Sequence, residues 1–481
     1  MVAMGGRRLV LAAFALVSLL VGGCRNGDGA ALGGSSVTSE GPAGEPATTA
    51  APGPTVPPPA ASPTCPNPPD RNQPDGRRPR YRLSVDVRLD ENLVRGTTAV
   101  RFTPDLATDR LVFRLWANGP RPAASGGSIE TGDVTVDGRV VPSTLDDPTL
   151  LVVRPPSPVA KGRAVEASLP WTLHLPGPSR DRIAREGDSV RLGSFFPILS
   201  WEPGVGWATD PAVGGFAEAS TAPVADFEMT VTVPSGLTVL ASGQEDSPGH
   251  WTATAMRDVA LSVGRFTTAS GTANAPDPVQ VKVGVAQGIN ETPERYLAKT
   301  VQVLNDFGRR FGPYPWPTFT LAITPNVGGG IEYPSHVMQG PGTIGATTSH
   351  EIAHQWFYGL VGNNQGRDPW LDEGLASWGE ARYEGDLPEF VAEPMPAGAA
   401  GRLGEAMTYW SQRPTIYSDG VYVQGVQALA ALGPPDLVDC ALRVYVAAYA
   451  HRIARPADLV AALHSAFPEA PSVLAGFGVR P

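Results

Sequence analysis

Lysine is almost missing from this chain: of 37 lysines and arginines in 481 residues, only Lys161, Lys282 and Lys299 are lysines. The formal net charge is −10, and no basic run extends beyond Arg77-Arg78-Pro79-Arg80, which excludes a nucleic-acid binder. Charged residues make up 17%, below the roughly 25% of an average globular domain. Histidine is scarce at seven, and cysteine is limited to Cys24, Cys65 and Cys440. What is abundant is Gly and Pro, 55 and 50 residues, which rules out a fibrous or all-helical protein. An apolar fraction of 42% still permits a sizeable core, and the length suits two or three domains.

The first 23 residues carry Arg7 and Arg8, an apolar stretch from Leu9 to Leu20, and Val21-Gly22-Gly23 ahead of Cys24. This resembles a bacterial lipoprotein signal, since the apolar stretch is too short for the roughly 20 residues of a membrane span. Cys24 is the expected site of lipidation. Removal of residues 1–23 takes away two arginines and no acid, shifting the charge from −10 to −12. Residues 24–78 are mostly Gly, Ala, Ser, Thr and Pro without an amphipathic period, and read as a disordered tether. The expected location is the cell envelope, outside the cytoplasm and anchored to the membrane by lipid. With Cys24 consumed, Cys65 and Cys440 are the remaining thiols, and an exported protein favours a disulfide between them.

From Tyr81 onward, segments such as Tyr81–Val87, Thr98–Phe102 and Phe227–Val233 alternate polar and apolar residues, the period of antiparallel strands. After Pro293 longer helical patterns take over, as in Glu294–Phe311 and Gln424–Leu432. The expected partition is a β domain over residues 79–272 and a mainly helical domain over 273–481, an α+β multidomain chain.

His350-Glu351-Ile352-Ala353-His354 carries the strongest chemical signal. On a helix, histidines four apart project from one face and hold a single Zn²⁺, while Glu351 flanks the open position as a general base. A catalytic site needs a third donor. Glu373, which follows His354 after 18 intervening residues, supplies it from a second helix across a glycine-rich loop that includes Gly359, Gly362 and Gly366. Glu380 lies two turns beyond Glu373, on the same face, to accept the second ring N–H of a ligand histidine.

These motifs, with Phe311-Gly312-Pro313-Tyr314-Pro315 and Gly328-Gly329-Gly330-Ile331-Glu332-Tyr333-Pro334, resemble the aminopeptidase N family of gluzincin metallopeptidases. Thermolysin-like peptidases at large share the two-helix plan but lack the glycine-rich glutamate motif. The resemblance implies a β-rich N-terminal domain followed by a thermolysin-like catalytic domain with one Zn²⁺ per chain. It implies that Glu332 holds the substrate's free α-ammonium group while Gly329 and Gly330 approach the peptide backbone. Here Ile331 and Tyr333 replace the family's Met and Asn, which bears on side-chain specificity. A tyrosine in a Tyr-x-x-Gly setting donates to the oxyanion in that family; Tyr422 matches it, with Tyr417 as the alternate. The 108 residues after Glu373 leave no room for the large helical C-terminal domain of longer members, so a more open cleft is expected.

The sequence thus points to a zinc aminopeptidase acting on peptides. Two alternatives stand beside it: a zinc endopeptidase on the same site, and a catalytically inactive peptide-binding relative. Oligomeric state is not legible.

Overall fold

The computed structural model describes residues 65–215 and 221–480. The signal segment, Cys24 and the tether as far as residue 64 lie outside the described residues.

Strand β1 (Arg80–Arg88) turns Tyr81, Leu83, Val85 and Val87 inward and the residues between them outward. It runs antiparallel to β2 (Leu93–Phe102), which pairs antiparallel with β3 (Val165–His174). On its other side β1 runs parallel to β4 (Ala225–Thr232), and β4 pairs antiparallel with β5 (His250–Met256). These strands belong to a nine-stranded sheet. Its buried face stacks Tyr81 on Phe227 with ring centroids 4.7 Å apart, and Phe196 meets both edge-on. Each such aromatic side chain contributes on the order of 4 kcal/mol through buried area alone.

A second, five-stranded sheet supports the helices. The hairpin β6 (Phe266–Asn274) and β7 (Pro278–Ala286) is followed by helix α1 (Pro293–Phe311) and strand β8 (Thr318–Ile323). Then come β9 (Gly330–Tyr333) and β10 (His336–Gln339), giving the order β6-β7-β8-β10-β9. Strand β9 is the edge and runs antiparallel to β10, so Glu332 sits on the rim of this sheet. Helix α1 opens with Pro293 and Glu294 and closes with Arg309 and Arg310, the charge order its dipole favours. Its buried stripe, Tyr296, Thr300, Val303, Leu304, Phe307 and Phe311, follows the three-to-four-residue period and meets Trp356 edge-on through Phe307. Gly312, with φ of 105°, ends it. Among the described residues no helix is long and apolar enough to cross a membrane.

Two boundaries differ from the sequence reading. Strand β6 crosses the expected domain border at residues 272 and 273, so the sheet that carries the helices begins at Phe266. Only Arg265 separates that strand from the preceding one, which ends at Gly264, so no Gly/Pro-rich linker marks the border in the sequence. Residues 65–78, expected as the end of the tether, carry no helix or strand, yet residues 65–72 are held against the helical domain and Arg78 pairs with Asp226 on β4. Asn72 donates its backbone N–H to the Ala447 carbonyl at 2.9 Å and its side-chain amide to Ala450 at 2.8 Å. Arg71 donates to the Pro313 carbonyl, and a Cys65–Cys440 disulfide closes the contact.

Candidate active site

Helix α2 (Ala346–Ala353) carries His350 and Glu351, and His354 follows at its C-terminal cap, still in right-handed helical conformation. Tyr358, at φ 110°, turns the chain away, and helix α3 (Trp370–Glu384) returns with Asp372, Glu373 and Glu380 buried. The four-residue spacing brings His350 Nε2 and His354 Nε2 to 3.1 Å from each other. Glu373 Oε2 lies 3.2 Å from the first and 3.4 Å from the second. Three donor atoms thus converge from two helices, all within 4.8 Å of one another.

The outward nitrogens are held as well. His350 Nδ1 is 3.0 Å from Glu380 Oε2, and His354 Nδ1 is 2.6 Å from Asp372 Oδ1 and 3.2 Å from the Phe357 carbonyl. Asp372 accepts a further hydrogen bond from the Gln365 amide. Each Nε2 is therefore turned toward Glu373, the arrangement that ligand histidines require.

The charge of the pocket calls for a cation. Glu351, Asp372, Glu373 and Glu380 are buried, and Glu332 half-buried, around two imidazoles. Burial disfavours the charged form of His350, but Glu373 and Glu380 outweigh it and raise its pKa to about 10. Burial would lift Glu373, yet both histidines hold it well below the usual carboxylate range. A divalent metal supplies the same positive charge to the same atoms, and two imidazoles with one carboxylate form a zinc donor set of the catalytic kind. Burial also raises the pKa of Glu332 and Glu351; nearby carboxylates add to the rise, and His354 opposes it on both. One oxygen of Glu351, Oε2, is buried without a protein partner.

Strand β9 faces α2 across a cavity of about 250 Å³ that Gly329, Gly330, Glu332, Glu351, Tyr417 and Tyr422 help to line. Acceptor atoms of Glu332 and Glu351 lie within 4.8 Å of each other and of a His354 nitrogen. Gln355 locks strand to helix: its Oε1 accepts the Ser335 N–H at 2.8 Å and its amide donates to the Tyr333 carbonyl at 3.0 Å.

Of the two candidate tyrosines, Tyr422 is the one over the donors. Its ring stacks on His350 with centroids 5.6 Å apart at 15°, and burial together with the nearby Glu373 carboxylate pushes the pKa of its phenol well up. Tyr417 stands edge-on behind it at 5.6 Å, its hydroxyl buried.

All the residues singled out from Glu332 to Tyr422 thus converge on one cavity. Asp372 and Gln365 were missed. The signal for Asp372 was present, since two ligand histidines need two outer acceptors and the sequence reading assigned only Glu380.

Residues 341–474 match the model described as "Peptidase family M1 domain". Leukotriene A-4 hydrolase of Xenopus laevis is 32% identical over 99 residues, 19% of this chain and 16% of that protein. Aminopeptidase M1-B of Oryza sativa subsp. japonica is 25% identical over 287 residues, 50% of this chain and 32% of that protein. The chain therefore spans about a third or less of the length of these relatives. The fold is similar to the crystal structure of an M1 zinc metallopeptidase from Deinococcus radiodurans, with a TM-score of 0.61 and 19% identity, covering 84% of this chain and 96% of that one. A form of the same protein bound to a Tyr-Ser-Ala substrate gives 0.63 and 20%, with the same coverage. The matched segment holds the three donors, Glu351 and both tyrosines, so this part of the chain is similar to the peptidase family M1 domain, and its two imidazoles and one carboxylate fit a zinc ion.

Proposed function

We propose that this protein is a zinc aminopeptidase that removes single residues from peptide N-termini outside the cytoplasmic membrane, held there by lipid on Cys24. His350, His354 and Glu373 would hold the metal. When bound, Zn²⁺ acidifies water and polarises the scissile carbonyl. Glu351 takes a proton from the attacking water and hands it to the departing amine, a role its partnerless buried oxygen suits. Tyr422 donates its phenol to the developing oxyanion. Gly329 and Gly330 let the peptide backbone approach β9, and Glu332 pairs with the α-ammonium group.

The observation that carries this reading is the closeness of Glu332 to Glu351 and His354, within 4.8 Å atom to atom. A carboxylate so near the reacting centre pairs with an ammonium group only when the bond cut is the first. Acetylating the substrate leaves Glu332 desolvated without its partner, a loss on the order of 2 to 5 kcal/mol. kcat/KM should fall roughly 30-fold or more. Glu332→Ala should slow cleavage of free-amine peptides far more than that of acetylated ones. Equal cleavage of both peptides by the parent, or first cuts at internal bonds, would replace this reading with an endopeptidase.

A further inference from the structure

Helix α4 (Gln424–Ala430) starts where a π-helical turn, Asp419–Val423, delivers Tyr422. It meets α3 glycine to glycine. A Cβ on Gly425 would lie 2.6 Å from Gly374 Cα, closer than real atoms come, and one on Gly374 would lie 3.2 Å from Gly425 Cα and from the Val421 carbonyl. Neither glycine has a positive φ, so backbone conformation does not demand them. Both sit inside helices, where glycine is among the weakest formers. Only the close approach accounts for them.

What this approach brings together is specific. Gly374 directly follows Glu373, and Gly425 is three residues beyond Tyr422, so the contact ties the metal-donor carboxylate to the phenol that shares its cavity and stacks on His350. The π-helical turn is pinned from its other sides. Gly420 packs under the Trp410 indole, which a Cβ would meet at 2.1 Å. Buried Gln424 donates to the carbonyls of Gly420 and Ala399, each at 2.9 Å, and accepts the Gly401 N–H at 2.7 Å. With those contacts fixed, added bulk at position 425 has one outlet, which is to lift the start of α4 and Tyr422 with it off α3.

We propose that Gly374 and Gly425 are positioning residues whose contact sets the reach of the Tyr422 phenol over the metal site. This rests on the reading of Tyr422 as the oxyanion donor. A misplaced donor weakens transition-state stabilisation while leaving ground-state peptide binding and metal retention intact.

The test is a cycle of Tyr422→Phe, Gly425→Ala and their combination, assayed for kcat, KM and zinc content, with a crystal structure of Gly425→Ala. Gly425→Ala should lower kcat at least tenfold, with KM within about threefold of the parent, full zinc content, and the phenol displaced from Glu373. The combined variant should be no slower than Tyr422→Phe by more than about threefold, because a displaced and a deleted phenol cost the same thing. Gly374→Ala, whose contacts are milder, should fold and show a smaller kcat loss, and it serves if Gly425→Ala does not fold. Parental kcat in both glycine variants, or losses that multiply in the combined variant, would overturn the inference while leaving Tyr422 in its role. Parental kcat in Tyr422→Phe would instead remove the role itself and the inference with it.

Discussion

Gly330 lies directly against Glu351: a Cβ at that position would sit 2.2 Å from Glu351 Cγ and 2.4 Å from its Oε1. The glycine on the substrate strand is thus also the seat of the proposed general base. Gly330→Ala should push the Glu351 carboxyl out of line and lower kcat by about 10- to 100-fold, short of the 10² to 10⁴ that loss of a general base costs. Zinc content should stay at one per chain, because neither residue is a donor. Turnover within twofold of the parent would show that the carboxyl has room to spare.

The strands and donors were legible because each rests on a short-range period. Alternation over Tyr81–Val87 marks β1, and the four-residue spacing of His350 and His354 marks one helix face. Glu380 follows from the same arithmetic, two turns from Glu373. Asp372 escaped because neighbours in a helix point apart, yet α3 crosses the end of α2 so that Glu373 reaches both imidazoles and Asp372 reaches behind one. Gly374 and Gly425 escaped for another reason: a glycine in a helix looks like a weakness until the helix opposite it is known. Residues 65–78 read as tether because their order comes from contacts with residues 226, 313, 440, 447 and 450, which no local pattern encodes.

The Cys65–Cys440 disulfide closes a loop of 375 residues and fastens the segment that enters β1 to helix α5 (Pro435–Tyr449). Thiol labelling of the unreduced protein, read by peptide mapping, should leave both cysteines unmodified. Cys440→Ser should destabilise the fold by about 2 to 4 kcal/mol on the chain-entropy account. It should also expose residues 65–78 to limited proteolysis, since the hydrogen bonds of Arg71 and Asn72 and the Arg78–Asp226 ion pair are then left to hold them. Labelling of both thiols in unreduced protein would reject the bridge.

His336 on β10 gives the fold a sensitivity to acid that is separate from the metal donors. Its ring is fully buried between two hydroxyls, Thr320 Oγ1 at 2.6 Å from Nδ1 and Ser262 Oγ at 2.9 Å from Nε2. Burial pushes its pKa down from 6.5 to about 3. Between those values the unfolded chain binds a proton that the folded chain refuses, so stability is complete above pH 6.5 and declines as pH falls toward 3. The slope approaches about 1.4 kcal/mol per pH unit, or roughly 2 kcal/mol between pH 6.5 and pH 5. His336→Gln keeps a neutral donor and acceptor in place and removes the titration. Urea midpoints measured at pH 7.5, 6 and 5 should then fall less steeply for the variant than for the parent, whatever slope the metal-site histidines add to both. Parallel declines in the two proteins would mean that His336 accepts its proton inside the fold, and that the two hydroxyls rearrange to take it.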